Sequence, residues 1–146
     1  MRYRWAALLA VLTLALTPQL GTAQGSSSQA KRPAVTLGQN FPNPFNPETR
    51  IPFGIECKED PNQQFKVSVR VYNQIAQFVA VPVLQGGTGN VAGGQPLENV
   101  LLTCGQYTAY WNGNYRNTNH EVASGIYLYI LEVDGQRTVK KMLITK

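Results

Sequence analysis

The chain has 146 residues, of which 43% are hydrophobic and only 14% charged, and its net charge is +5. This length suits one domain and is too short for a typical multidomain enzyme. The low charge fraction argues against a disordered tail, and no heptad repeat indicates a coiled coil. One His and two Cys cannot supply the four ligands of a usual structural zinc site. We therefore expect no metal and no cofactor.

Residues 1–23 have the pattern of a secretory signal peptide. Arg2 and Arg4 precede an apolar run over 5–16, and small residues follow, so cleavage is expected after Ala23. The run is shorter than the roughly 20 apolar residues of a membrane span; an uncleaved N-terminal anchor is the alternative. After cleavage the net charge is about +3 and the basic residues are scattered, which gives no electrostatic basis for nucleic-acid binding. We expect an exported chain with no transmembrane segment in its mature form.

A polar, Ser-rich leader is predicted for residues 24–34, and the folded domain for 35–146. Seven short extended runs follow, and no segment after the signal peptide has a convincing helical period. They are residues 50–55, 66–72, 77–84, 97–102, 106–111, 125–133 and 137–144. This spacing predicts an all-β fold, a seven-stranded β-sandwich.

Local signals refine these strands. Val67, Val69 and Val71 alternate with polar residues, which indicates a strand with one buried face. Pro52 is expected at a sheet edge or a strand start, and Pro82 again suggests an edge. The last two strands are joined at Asp134-Gly135, a strong signal for a two-residue hairpin turn.

An exported chain folds in an oxidising compartment, so a disulfide between Cys57 and Cys104 is expected. It would stabilise the fold by up to roughly 4 kcal/mol in the chain-entropy model. The alternative is a catalytic thiol paired with His120. His120 lies in a polar turn with no orienting group nearby, so the disulfide is preferred. The stretch Gly87–Ala92 fits a relaxed dinucleotide fingerprint, but no helix follows it. We predict neither an enzyme nor a small-molecule substrate.

A proline-rich segment and a tryptophan turn stand out from this background. The segment comprises Asn43, Pro44, Phe45, Asn46 and Pro47, and its Asn-Pro pairs enforce extended or turn conformations. We expect it to be structural and to present Phe45 as a plug for one end of the sandwich. Trp111 precedes a tight turn at Gly113. Trp111, Tyr127 and Tyr129 are expected to pack in the core rather than to form a ligand platform.

Taken in chain order, the stretches QNFPNPFNPETRIPF, VRVYN, YWNG, ASGIYLY and KKMLITK resemble the C-terminal sorting domain of bacterial type IX secretion cargo. They are equally similar to the immunoglobulin-like domain of the flagellar hook-capping protein, and the resemblance spans residues 37–146. It implies a seven-stranded immunoglobulin-like sandwich, Sec export to the periplasm, and passage through an outer-membrane translocon. In typical cargo the passenger then reaches the cell surface or the medium, and a sortase removes the sorting domain. The chain departs from the family at Ala76, where Gly is usual, and in having only a short leader instead of a large passenger.

By this resemblance the candidate signal residues lie on the last strand and at the start of the strand before it. They are Gly125, Lys140, Lys141, Met142, Leu143, Ile144 and Lys146. An edge strand can bind a partner through its backbone while its side chains give specificity. The alternative is that these lysines only solvate the strand and block edge aggregation.

Two function classes therefore stay open. The first is a secretion-targeting module, for which removal of residues 140–146 is expected to trap the protein in the periplasm while folding largely persists. The second is a structural or adhesive module of the cell envelope that binds a protein partner.

Overall fold

A computed structural model describes residues 32–87 and 91–146. The predicted signal peptide, most of the predicted leader and part of the Gly-rich loop lie outside the described residues. The described chain forms nine strands and one short 3-10 helix, Tyr115–Asn117. The strands are β1 Ala34–Leu37, β2 Thr49–Glu56, β3 Phe65–Asn73, β4 Phe78–Ala80, β5 Val83–Leu84, β6 Val100–Leu102, β7 Gly105–Trp111, β8 Gly125–Val133 and β9 Gln136–Ile144.

These strands build two antiparallel sheets. Sheet A has the order β1-β2-β7-β5, and sheet B has the order β4-β3-β8-β9, with β6 pairing along the same side of β3 as β4. With the strands read in chain order, this is the arrangement of the immunoglobulin fold. The predicted all-β, immunoglobulin-like sandwich is confirmed.

The strand number differs from seven for two reasons. A first strand, β1, starts at Ala34 and pairs with β2. The apolar run over 77–84 is not one strand, because the chain leaves sheet B after Ala80 and joins sheet A at Val83. Val81 and Pro82 make this crossing, and proline suits it because it has no backbone N–H to pair. Both short strands are edge strands, as Pro82 suggested.

The core lies between the two inner faces. The predicted buried face of β3 is confirmed, since Val67, Val69 and Val71 are all fully buried. The opposite face is not wholly solvated, because Ser68 is also buried and accepts the N–H of Asn99. Trp111, Tyr127 and Tyr129 are buried as well, as expected of packing residues. The hydroxyl of Tyr127 donates to the carbonyl of Ala123, four residues upstream (2.9 Å). This bond is the tyrosine corner that is common at the start of the corresponding strand in immunoglobulin-like sandwiches.

The expectation for Pro52 was wrong, because Pro52 lies in the middle of β2, between β1 and β7. Its partner is Gly38, just beyond β1, whose N–H donates to the carbonyl of Pro52 at 2.8 Å. A paired strand residue would return a bond to Gly38, but proline has no N–H. The hydroxyl of Tyr129 in sheet B donates to the Gly38 carbonyl instead (2.8 Å), and it accepts the N–H of Asn40 (3.1 Å). A side chain of one sheet thus completes the backbone pairing of the other.

The predicted disulfide joins Cys57 and Cys104, whose Cα atoms are 5.8 Å apart. Cys57 follows β2 and Cys104 precedes β7, so the bridge closes one end of this strand pair within sheet A. Both sulfurs are used in the bridge, and neither is a free thiol. His120 is exposed in the loop before β8, so the alternative of a catalytic thiol paired with it fails.

Candidate functional site

The last strand, β9, lies at the edge of sheet B and pairs with β8 across the Asp134-Gly135 turn. Its side chains alternate between the core and the solvent. Met142 and Ile144 point inward and are each 2% exposed, whereas Lys141 and Leu143 point outward. Lys140 and Lys141 therefore lie on opposite faces of the sheet, and a partner on one face would meet only one of them.

The proline-rich segment covers part of this edge. We call residues 39–47 the cover segment. Phe45 forms a parallel bridge with Ile144, and its backbone N–H donates to the carbonyl of Leu143 at 3.0 Å. The N–H of Leu143 donates to the side-chain oxygen of Asn43 at 3.0 Å. The side chain of Gln39 donates to the carbonyl of Lys141 at 2.9 Å. The second half of β9 is thus hydrogen-bonded on both sides.

Phe45 anchors the cover segment in the core. It is 1% exposed, and its ring meets the ring of Trp111 edge to face at a centroid distance of 5.6 Å. Trp111 meets Tyr127 in the same way at 5.9 Å. These three rings fill one end of the sandwich, which is the position expected for a Phe45 plug.

Gly113 allows the cover segment to pack this closely. Its φ is +76°, in the left-handed region that favours glycine. A Cβ atom at this position would collide with the carbonyl oxygen of Pro47. The turn after β7 therefore accepts the cover segment only when it carries glycine.

The first half of β9 has an open edge. All residues of β9 lie opposite residues of β8, but in this two-residue hairpin only the even-numbered ones exchange backbone hydrogen bonds with β8. The odd-numbered residues therefore direct their N–H and C=O groups outward. Within residues 32–87 and 91–146, the outward groups of Arg137 and Val139 and the N–H of Lys141 have no hydrogen-bond partner. We call residues 137–141 the open edge. It is five residues long, which is enough for a short added strand.

The outer face of sheet B beside this edge is apolar. Ile126 is 44% exposed, Val139 51% and Leu143 37%. They adjoin the half-buried Leu128 and Ile130 of β8. We call this group of five side chains the outer patch. A solvated face of an antiparallel sheet usually carries polar residues, so the outer patch indicates a contact surface.

Four residues of the outer patch were not among the predicted site residues: Val139 of β9, and Ile126, Leu128 and Ile130 of β8. The signal was present in the sequence, because β8 reads GIYLYILEV with apolar residues at both alternating positions. Such a continuous apolar run is typical of a strand that is covered on both faces.

The remaining candidates lie at the far end of β9. Gly125 begins β8 opposite Ile144. The backbone N–H of Lys146 donates to the hydroxyl of Ser124, and its ammonium group forms an ion pair with Glu121, both at 3.0 Å. Gly125, Lys140, Lys141 and Lys146 therefore do not converge on one point. Only Lys141 lies beside both the open edge and the outer patch.

A separate depression of about 680 Å³ lies between β4 and the loop after β7. The guanidinium group of Arg116 lies over the ring of Tyr115 at 5.1 Å and over that of Phe78 at 5.6 Å. His120 and Tyr127 also line this depression. Burial raises the pKa of the Tyr127 hydroxyl, which keeps it protonated and able to donate its corner hydrogen bond.

Compared with protein-family models, with curated proteins and with solved structures, the chain gives no match in any of the three. The resemblance to type IX sorting domains therefore rests on the sequence stretches that carry it, and it stays a prediction. Among the described residues no helix is long and apolar enough to span a membrane, and no group of three or more His, Cys, Asp or Glu side chains is placed to hold a metal ion.

Proposed function

We propose that the chain is an exported, non-enzymatic immunoglobulin-like module whose last strand is a sorting signal. In this proposal an outer-membrane translocon of type IX secretion recognises β9 and delivers the protein to the cell surface or the medium. The observation that carries the proposal is the open edge beside Lys141, because backbone pairing and an adjacent charge are a common means of peptide recognition. The sequence resemblance supplies the identity of the partner.

Truncation is not a usable test of this proposal. Removal of residues 140–146 was expected to leave folding largely intact, but it would delete the buried side chains of Met142 and Ile144. Loss of one such side chain costs about 2–5 kcal/mol, which is a large part of the stability of a small domain. A truncated chain that fails to reach the surface could therefore simply be unfolded.

The test replaces the charge of the exposed Lys141 and the half-buried Lys140 while keeping the buried side chains of Met142 and Ile144. We expect the double variant Lys140→Ala and Lys141→Ala to remain folded but to accumulate in the periplasm of the native host. The measurement is cell fractionation with intact mass, which also shows whether a sortase has cut the chain. The matched control is Lys58→Ala with Lys66→Ala, two exposed lysines that are not part of β9. Surface delivery of the folded β9 variant at the control level would contradict the proposal.

One observation favours the second candidate, an adhesive or structural module of the envelope. The outer patch offers apolar contact area that does not depend on the lysines. If this module is the function, substitution of Ile126 and Ile130 by Ser should release the protein from the envelope fraction. The lysine variants should then leave its location unchanged.

A further inference from the structure

The open edge restricts what can bind to it. Beyond Lys141 the cover segment occupies the outward backbone groups of β9. An added strand can therefore use only residues 137–141, and it must leave the sheet where Gln39 reaches the Lys141 carbonyl. Since all strands of sheet B are antiparallel and this pairing is slightly the more stable per residue, we take the added strand as antiparallel.

The side chains along this edge set the chemistry of the partner. Arg137 is already paired with Glu132, with 2.7 Å between guanidinium nitrogen and carboxylate oxygen. Lys141 has no carboxylate partner among the described residues. Between them, Val139 is half exposed on the same face. The edge thus presents an unpaired positive charge and, two residues away, an apolar side chain.

A second copy of the chain fits this edge poorly. The antiparallel register that uses all the free groups pairs Val139 with Val139 of the other copy. In this register Arg137 of each copy also lies opposite Lys141 of the other copy. Like charges directly opposite each other on neighbouring strands are destabilising. The edge is therefore suited to a different partner.

We propose that the open edge binds an extended segment of another protein in which an acidic residue precedes an apolar, β-branched residue by two positions. In the antiparallel register the carboxylate lies opposite Lys141 and the apolar side chain lies opposite Val139. The apolar residue extends the outer patch, and the backbone of the segment pairs with the outward groups of Val139. The inference rests on the proposed function and names the chemistry of its partner.

The test is a titration of the ¹⁵N-labelled protein, purified after expression of the full chain, with short capped peptides. The first peptide is acetyl-TETVTT-amide, and the second carries Lys in place of Glu. We expect the first to shift the amide signals of residues 137, 139 and 141. We expect the second to bind roughly threefold to tenfold more weakly, because one cross-strand charge pair changes sign. A third peptide, acetyl-TTVTET-amide, places Glu opposite Arg137 and should also bind more weakly than the first.

Substitutions at Val139 and Lys141 show whether the peptide binds at the open edge. Val139→Pro removes an outward N–H that has no native partner, so the fold should persist while peptide binding is lost. Val139→Thr keeps this N–H and should retain binding. Lys141→Glu should reverse the preference, so that the lysine peptide binds better than the glutamate peptide. Thermal unfolding of each variant shows that the fold is kept.

Several outcomes would overturn the inference. These are no shifts at millimolar peptide, equal binding of the acidic and basic peptides, or shifts confined to the depression around Arg116 and abolished by Arg116→Ala. The peptide titration needs no secretion machinery. Edge binding by an acidic peptide together with normal export of the lysine variants would therefore count against the sorting function alone.

Discussion

At the residue scale, Tyr129 has the role with the clearest physical cause. Its hydroxyl supplies the donor that Pro52 lacks, and it accepts a second bond from the backbone of Asn40. Tyr129 is fully buried and belongs to sheet B, whereas Gly38 and Asn40 follow the first strand of sheet A. One hydroxyl group thus satisfies two backbone groups across the sandwich.

Tyr129→Phe should lower the free energy of unfolding by about 1–3 kcal/mol, because it leaves the part-buried carbonyl of Gly38 and the buried N–H of Asn40 without partners. The measurement is urea unfolding followed by fluorescence. The control is Tyr110→Phe, whose hydroxyl bonds Glu48 at the surface and whose loss should cost less than about 0.5 kcal/mol. Equal effects of the two variants would contradict this role for Tyr129.

Gly113→Ala should destabilise the protein strongly, because the new methyl group meets the carbonyl of Pro47 in addition to the strain of a positive φ. Gly135→Ala is the matched control, since Gly135 also has a positive φ (82°) but an open space where the Cβ would lie. We expect Gly113→Ala to cost at least about 2 kcal/mol more than Gly135→Ala in chemical denaturation. A similar loss in both would show that the cover segment does not press on the turn.

At the element scale, the strands were predictable where the alternation of apolar and polar residues and the turn residues between strands indicate the same structure. The Asp134-Gly135 hairpin sets the register of β8 and β9, and the valines of β3 mark its buried face. The position of Pro52 was not predictable, because its cause lies far away in the chain. Pro52 is tolerated in a central strand only because Tyr129 replaces its missing donor, 77 positions later in the numbering.

The candidate site shows the same division between local and distant causes. The sequence placed exposed lysines on an edge strand, and β9 is an edge strand with Lys141 exposed. Local reasoning could not foresee that the cover segment hydrogen-bonds the second half of β9, because Asn43 and Leu143 are 100 residues apart. The division of β9 into a covered half and an open edge is therefore a property of the folded chain.

At the scale of the whole molecule, the buried tyrosines predict how stability depends on pH. Burial raises the pKa of Tyr129 and of Tyr127 above the usual 10.0. The folded state then holds these protons more tightly than the unfolded chain does. Their contribution to stability is complete below pH 10 and is lost as the pH rises through their pKa values in the folded state.

We therefore expect the urea midpoint to fall above about pH 10, with a smaller fall in Tyr129→Phe than in the original protein. Tyr115→Phe serves as the control for the loss of a tyrosine hydroxyl as such, because Tyr115 is 41% exposed. The measurement is a series of urea unfolding curves between pH 8 and pH 11. An unchanged slope in Tyr129→Phe would contradict the prediction.

Because of the cover segment, the number of β9 residues with free outward backbone groups depends on whether the chain has finished folding. Until Gln39, Asn43 and Phe45 dock, every outward backbone group of β9 is available, and docking shortens this accessible stretch to residues 137–141. A binding protein whose groove admits only a short strand can accept the finished domain. A binding protein whose groove needs a longer strand can bind only chains in which Phe45 has not yet packed into the core. Groove length alone would then distinguish mature protein from folding intermediates, without any contact to the core.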